Sequence, residues 1–130
     1  MIHIVKQDEI VFRYLKPEPL NSTVCDMNYL ISVTHGNKKI IHSIVTVFFE
    51  ETQRELLVLK NAIAEANYSI ITSVLHKLKS AFLLMGITIL KPVFDEMEAL
   101  GNASSGIEKL KQLGFKINMV FNQAKKEIKL

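Results

Sequence analysis

Apolar residues recur at intervals of three and four along most of the chain after residue 40, which is the period of an amphipathic α-helix. In the first long run they occupy positions 41, 44, 48, 56, 59, 63 and 66. Gly36 and Asn37 precede this run as a break and a candidate N-cap. The letters IVTVFF within it are typical of a strand, but no turn residue separates them from the polar stretch that follows. We therefore predict one long helix from about residue 37 to residue 65.

Three more amphipathic segments follow, each bounded by residues that start or stop helices. Asn67 can cap a second helix, and Gly86 can end it in a left-handed conformation. A third helix has Pro92 in its first turn, where a missing amide hydrogen costs little, and it ends at Gly101 and Asn102. A fourth follows the GNASSG loop, with apolar residues at 107, 110, 113, 117, 120, 121, 124 and 128.

The chain before residue 37 is less regular. The stretch DMNYLISV, residues 26–33, predicts a short helix that has Asp26 as its cap and packs across the bundle. Residues 1–22 combine strand-like and extended letters and predict a tail or linker, which leaves residues 23–130 as the folded domain. Four amphipathic helices joined by short loops predict an all-α fold, an antiparallel four-helix bundle with a short additional N-terminal helix.

The composition is that of one folded domain, and it indicates the compartment in which the protein works. The 130 residues are 48% hydrophobic and 22% charged, which is enough for a single core. The longest apolar run falls well short of the ~20 residues that a membrane-spanning helix needs, and the first residues lack the apolar core of a signal peptide. Cys25 is the only cysteine, so no internal disulfide can form. We expect a cytoplasmic protein with no membrane partner.

Charge is concentrated near the end of the chain. The net charge is +3, and residues 107–130 hold six lysines against two glutamates, a balance that favours an acidic partner without choosing its class. Nucleic-acid binding is the weakest choice, because the pattern shows no exposed aromatics between these lysines. We expect no nucleic acid, and a monomer, because no apolar stripe is left over for a dimer.

His76 lies at the centre of a narrow polar stripe on the second predicted helix. The residues within about 60° of it are Thr72, Ser73, Lys79, Ser80 and Leu83. Most solitary surface histidines have no chemical role, but here small neighbours leave the ring accessible, and Lys79 can neutralise an anion placed on it. With no orienting carboxylate, such an imidazole suits a nucleophile that accepts a phosphoryl group. The chain has no glycine-rich phosphate loop, so another molecule must bring the donor.

The sequence HKLKSAFLLMG, residues 76–86, closely resembles the active-site signature of histidine-containing phosphotransfer (HPt) domains. In that signature a lysine follows the histidine by three residues, a small residue comes next, and a glycine lies ten residues after the histidine. His76, Lys79, Ser80 and Gly86 occupy these four places, and the resemblance extends over about residues 26–128.

The resemblance implies a phosphorelay intermediate, which accepts a phosphoryl group from the aspartate of one response-regulator receiver domain and passes it to another. It implies that His76 carries the phosphoryl group and that Lys79 stabilises its charge, while Ser80 can hydrogen-bond to it. The docking surface then consists of Thr72, Ser73, Leu83 and Leu84, and Gly86 forms a structural turn.

The same resemblance implies which partners this chain has and which activities and cofactors it lacks. Receiver domains and a sensor or hybrid histidine kinase are the expected partners, and the chain is a phosphocarrier with no kinase or nucleotide site. No cofactor is expected, because the magnesium belongs to the receiver. His35 and His42 lack a third ligand, so no metal site is predicted.

Ser80 departs from the family pattern, which usually has glycine after the lysine. Its side chain reduces clearance one turn from His76, and this leaves a second interpretation open. In that alternative the chain is a non-catalytic helical module that docks a receiver or kinase domain without carrying phosphate.

Overall fold

The computed structural model describes residues 23–128, which form five helices and no strand. These are α1 (Asn28–Thr34), α2 (Lys38–Ala64), α3 (Tyr68–Leu84), α4 (Lys91–Asn102) and α5 (Ile107–Glu127). The predicted all-α bundle with a short additional N-terminal helix is confirmed. The tail predicted for residues 1–22 lies outside the described residues.

The four longer helices close into a ring, in which α2 contacts α3, α3 contacts α4, α4 contacts α5, and α5 contacts α2. Each pair that follows in sequence is joined by a short turn, so these neighbours run antiparallel. One phenylalanine from each helix meets in the centre: Phe48, Phe82, Phe94 and Phe121. The rings of Phe48 and Phe82 are 5.4 Å apart and edge to face, an arrangement worth about 1 kcal/mol beyond burial.

The predicted helix starts at Asn37 and Asn67 are confirmed. The Asn37 side chain accepts from the Ile40 amide at 3.1 Å, and that of Asn67 accepts from the Ile70 amide at 3.2 Å. Each bond satisfies one of the amides that a helix leaves without a partner at its first turn. The IVTVFF stretch is helical throughout, so burial against the other helices decides its structure over its strand propensity.

The predicted end of α4 is confirmed, since the helix ends at Asn102, and one predicted helix start differs from the structure. Gly101 lies in the last turn of α4, where a Cβ would come 2.6 Å from Cγ2 of Thr72. Its small size therefore permits a close approach of α4 to α3. Asp26 is not the N-cap of α1, since Met27 holds that position, although the Asp26 carboxylate still accepts from the Asn28 amide at 3.0 Å.

The segment before α1 is fastened to the ends of two other helices. The Glu127 carboxylate accepts from the backbone amides of Val24 at 2.8 Å and Cys25 at 3.1 Å. The Asp26 amide donates to the Gly86 carbonyl at 3.3 Å, and Cys25 itself is buried. These bonds hold α1 across one end of the bundle. Within residues 23–128, no helix is long and apolar enough to cross a membrane.

Candidate functional site

His76 projects from the middle of α3 into solvent. Leu75 and Leu78, on either side of it in sequence, are buried in the core. Their burial fixes the rotation of α3, so the positions near His76 on the helical wheel form an outward ridge. The His76 imidazole has no hydrogen-bond or ion-pair partner among the described residues. It is therefore accessible to a reactant from outside.

The rest of the ridge is small or apolar. Ser73 and Ser80 are exposed one turn before and one turn after His76, and Leu83 is 42% exposed a further turn along. Lys77 lies on the side facing α2, where its ammonium is 3.9 Å from the Glu55 carboxylate. The ridge therefore offers an open nucleophile with one exposed leucine beside it.

Lys79 lies on the opposite side of the ridge and is bonded to α4. Its Nζ donates to Asp95 Oδ1 at 3.0 Å and to Glu98 Oε1 at 3.2 Å, and its side chain is 28% exposed. Asp95 also accepts from Lys91 at 3.2 Å. Two cations and two carboxylates thus form one network, so the carboxylates of α4 balance the charge of Lys79.

The network shifts the pKa of both members of the central pair. Hydrogen bonds from Lys79 and then Lys91 hold the pKa of Asp95 below its ordinary value. Hydrogen bonds to Asp95 and then Glu98 raise the pKa of Lys79 above its ordinary value. Both groups remain charged at neutral pH, because each partner favours the other's ionised form.

Gly86 follows the end of α3 with φ of +69°. A Cβ at this position would lie 1.7 Å from the backbone carbonyl oxygen of Asp26. Only glycine meets both conditions at this position: it adopts the left-handed backbone without strain, and it has no Cβ to collide with the segment before α1, which passes the end of α3 here.

A family model described as Hpt domain matches residues 43–125, more than half of the chain. The chain belongs to the Hpt domain family. Hpt domains are histidine-containing phosphotransfer modules of two-component signalling, and they are phosphocarriers without kinase activity of their own. Searches among curated proteins and among solved structures gave no match.

Two of the predicted docking residues of this Hpt domain face its own helices. Thr72 is half-buried beside Gly101, and its hydroxyl donates to the Tyr68 and Ser69 carbonyls at 3.2 and 3.0 Å. Leu84 is half-buried against the core. Ser73 and Leu83 are the two that stand free on the ridge.

Leu84 also lines a groove between α2 and α3, next to the ridge. The groove has a volume of about 440 Å³ and is nearly all apolar. Its walls include Ile44 and Val47 from α2 and Ala81 from α3, with Glu51 at the rim. Sequence analysis missed the α2 residues, because the pattern of one helix does not say which neighbour it packs beside.

Asp95 and Glu98 were missed for the same reason. They lie three residues apart and so share one face of α4, which is a signal visible in sequence, but only the packing of α4 on α3 brings that face to Lys79. In the part of the chain that the structure describes, no group of three or more His, Cys, Asp or Glu side chains can hold a metal ion.

Proposed function

We propose that this Hpt domain is a phosphorelay intermediate, in which His76 accepts a phosphoryl group from one receiver domain and passes it to another. The observation that carries the proposal is an exposed, unpartnered imidazole at the signature histidine of a chain matched by the Hpt family model. The unprotonated ring nitrogen attacks the phosphorus of an aspartyl phosphate. A P–N bond forms as the acyl P–O bond breaks, and the aspartate leaves as a carboxylate.

Lys79 supplies the positive charge nearest to the transferred group in this proposal. A lysine ammonium has three N–H donors, and Lys79 gives two of them to Asp95 and Glu98. The third is available to a phosphoryl oxygen on His76, one turn away. Lys79 therefore acts as a donor of fixed position, and the carboxylates of α4 moderate the charge that it presents.

Ser80 is the second group proposed to touch the phosphoryl oxygens. It is exposed one turn beyond His76, and its hydroxyl can donate a hydrogen bond. The magnesium required for the transfer is expected on the receiver, so His76, Lys79 and Ser80 act without a cofactor of their own. We expect this carrier to work in the cytoplasm with receiver domains and a sensor or hybrid histidine kinase.

The proposed docking surface consists of the ridge and the adjacent groove. Leu83 gives an exposed anchor, and Ile44, Val47 and Leu84 give an apolar recess beside it. A receiver helix laid over this recess would place its aspartate above His76, and burial of such apolar anchors is what stabilises interfaces of this kind.

A second function, docking without phosphate transfer, is favoured by one observation. Ser80 adds a side chain where family members usually have glycine, and Lys79 is already neutralised by two carboxylates. Both features reduce what the site can offer a phosphoryl group. Under this alternative the same surface binds a receiver or kinase, and His76 is not modified.

Transfer from a labelled receiver distinguishes the two functions. Purified protein is incubated with receiver domains carrying labelled aspartyl phosphate, and its His76→Gln and His42→Gln variants are treated in parallel. His42 is an exposed histidine of α2 and serves as the matched control. Label that resists alkali, is lost in acid, survives in His42→Gln and is absent from His76→Gln supports the carrier. Receivers that bind but never transfer label would support docking alone.

A further inference from the structure

A second groove lies between α2 and α5, the helix pair that faces away from α3 and α4 in the ring. It has a volume of about 460 Å³. Leu56, Leu59 and Ile63 form its floor on α2, and Gly114 and Phe115 bound it on α5. Because α5 has glycine at position 114, the groove is deeper there than a larger side chain would allow. Nothing in the proposed phosphotransfer uses this surface.

Exposed apolar side chains continue from the groove along α5. Phe115 is 65% exposed, and Met119, one turn further, is 57% exposed. The expectation that no apolar stripe is left over is therefore wrong, and so is the expectation that no exposed aromatic residue lies between the lysines of α5. Large apolar side chains exposed side by side beside a groove mark an interaction surface.

The rim of the groove is basic. Lys60 lines it on α2 and Lys111 lines it on α5. Among the described residues, Lys60 has no carboxylate within 4.0 Å, while Lys111 has only Glu108 at 3.5 Å in an exposed pair. Exposed pairs of this kind exchange readily for other partners. The rim thus presents two cations, of which Lys60 has no counter-ion among residues 23–128 and Lys111 has only a weak, exposed one.

The shape and charge select one class of occupant. The groove runs between two antiparallel helices and spans Leu56 to Ala64, about 12 Å at the rise of an α-helix. Two turns of a third helix fit this length, with their apolar side chains directed to the floor. Carboxylates on both sides of that apolar stripe would meet the lysines of the rim. We propose that the α2–α5 groove binds an amphipathic, acid-flanked helix of a protein partner.

The same charges disfavour a second copy of this chain. A symmetric dimer through this groove would bring the rim of one copy, with Lys60 and Lys111, against the same basic rim of the other. The aliphatic floor likewise suits leucine-like side chains rather than nucleotide bases. Because the groove and the His76 ridge lie on different helix pairs, a receiver and this partner can bind at the same time.

The test uses the full chain and a synthetic peptide of about 14 residues, which is about four helical turns. The peptide carries leucines on one helical face and glutamates on both sides of it, and a matched peptide has lysines in place of the glutamates. Binding is followed by fluorescence anisotropy, and the contacted residues are mapped by amide chemical shifts. We expect the acidic peptide alone to bind, with shifts at residues 56–64 and 111–118, and binding to weaken as salt increases.

Two variants and their controls locate the surface. Phe115→Ser removes the exposed aromatic and is expected to reduce affinity at least about tenfold, whereas Tyr29→Ser, at a comparably exposed aromatic of α1, leaves it unchanged. Lys60→Glu is expected to reduce affinity about fivefold, and Lys126→Glu, at an exposed lysine of α5 outside the groove, leaves it unchanged.

Several outcomes would overturn the proposal. They are absence of binding by the acidic peptide, equal binding of the lysine peptide, or shifts centred on His76. Sedimentation that shows a dimer lost in Phe115→Ser would assign the groove to self-association, and Lys60-dependent binding of DNA without peptide binding would assign it to nucleic acid. Transfer of label to His76 is measured on the same variants and is expected to be unchanged, so failure here is separable from failure of the proposed function.

Discussion

Lys79 Nζ lies 3.0 Å from Asp95 Oδ1, so the cation next to His76 is bonded to the neighbouring helix α4. Glu98 holds the same ammonium from the next turn of α4 at 3.2 Å. The position of the charge is thereby set by the packing of α3 on α4, and its strength is set by two carboxylates. The reactivity of His76 is expected to depend on residues that never touch the imidazole.

The Asp95→Asn variant is expected to increase the lifetime of phosphorylated His76 about two- to fivefold, the range for one exposed charge pair. Removal of one carboxylate leaves Lys79 less neutralised and lessens repulsion of the phosphoryl group. Loss of label over time measures the lifetime. Glu96→Gln is the control, because Glu96 adjoins Asp95 in sequence but lies 3.9 Å from Lys109. A shorter lifetime in Asp95→Asn would contradict this role for the network.

The Lys79–Asp95 pair is expected to be insensitive to pH between about 5 and 9. The pKa of Asp95 is lowered on folding, so its contribution to stability exists above the ordinary pKa and is lost only as pH falls through the lowered value. The raised pKa of Lys79 places its loss on the alkaline side. A carboxyl NMR titration measures the Asp95 midpoint. Lys79→Met should raise that midpoint more than Lys91→Met does, and the reverse order would contradict the assignment.

The Ser80→Gly variant separates clearance from hydrogen bonding at His76. If clearance limits transfer, Ser80→Gly speeds transfer from a labelled receiver, although the helix loses about 0.5 kcal/mol of stability. Ser80→Ala keeps the Cβ and removes the hydroxyl proposed to bond the phosphoryl group, so we expect it to slow transfer. A rate in Ser80→Ala equal to that of the wild type would contradict this role of the hydroxyl.

The Leu83→Asp variant is expected to weaken receiver binding at least about tenfold while leaving the fold intact. Leu83 is 42% exposed, so its replacement disturbs no core packing, and an anchor of this type contributes a large share of interface energy. Isothermal titration with a cognate receiver measures the affinity. Leu57→Asp, at an exposed leucine of α2, is the control, and an equal effect of both changes would place docking elsewhere.

The Gly86→Ala variant is expected to lower the free energy of unfolding by at least about 2 kcal/mol, because a Cβ meets the Asp26 carbonyl and the backbone is left-handed. Gly114→Ala is the contrasting change. Its Cβ would make ordinary contacts, 3.6 Å from Ile63 and 3.8 Å from Met97, within a helix, so it should stabilise the fold by up to about 1 kcal/mol. Urea unfolding measures both, and equal effects would contradict this account of Gly86.

Sequence alone predicted the elements that depend on local chemistry. Asn37 and Asn67 cap helices as expected, since a side chain that accepts from an amide three residues on needs only its own chain. The hydrophobic period gave the number of helices for the same reason. The end of α4 at Gly101 and Asn102 was predicted correctly, but the contact of Gly101 with Thr72 was not, because Thr72 belongs to another helix.

The candidate site was predicted in part. His76, Ser73 and Leu83 stand on one exposed ridge, which follows from the helical wheel of α3. Asp95, Glu98 and the α2 side of the docking groove could not be found this way, because they come from other helices. The exposure of Phe115 was missed because an aromatic residue in an amphipathic helix is ordinarily assigned to the core.

Because Glu127 holds the segment before α1 in place, the reactivity of Cys25 can report the opening of this end of the bundle. Its carboxylate holds the amides of Val24 and Cys25, and burial, together with that carboxylate, raises the pKa of the Cys25 thiol far above its ordinary value. The closed state is therefore nearly inert to alkylating reagents, which react with the thiolate. Unwinding of the last turn of α5 would expose the thiol to solvent and return its pKa towards the ordinary value. The alkylation rate of Cys25 would then measure how often this end of the bundle opens. A partner that binds and stabilises this end would lower that rate.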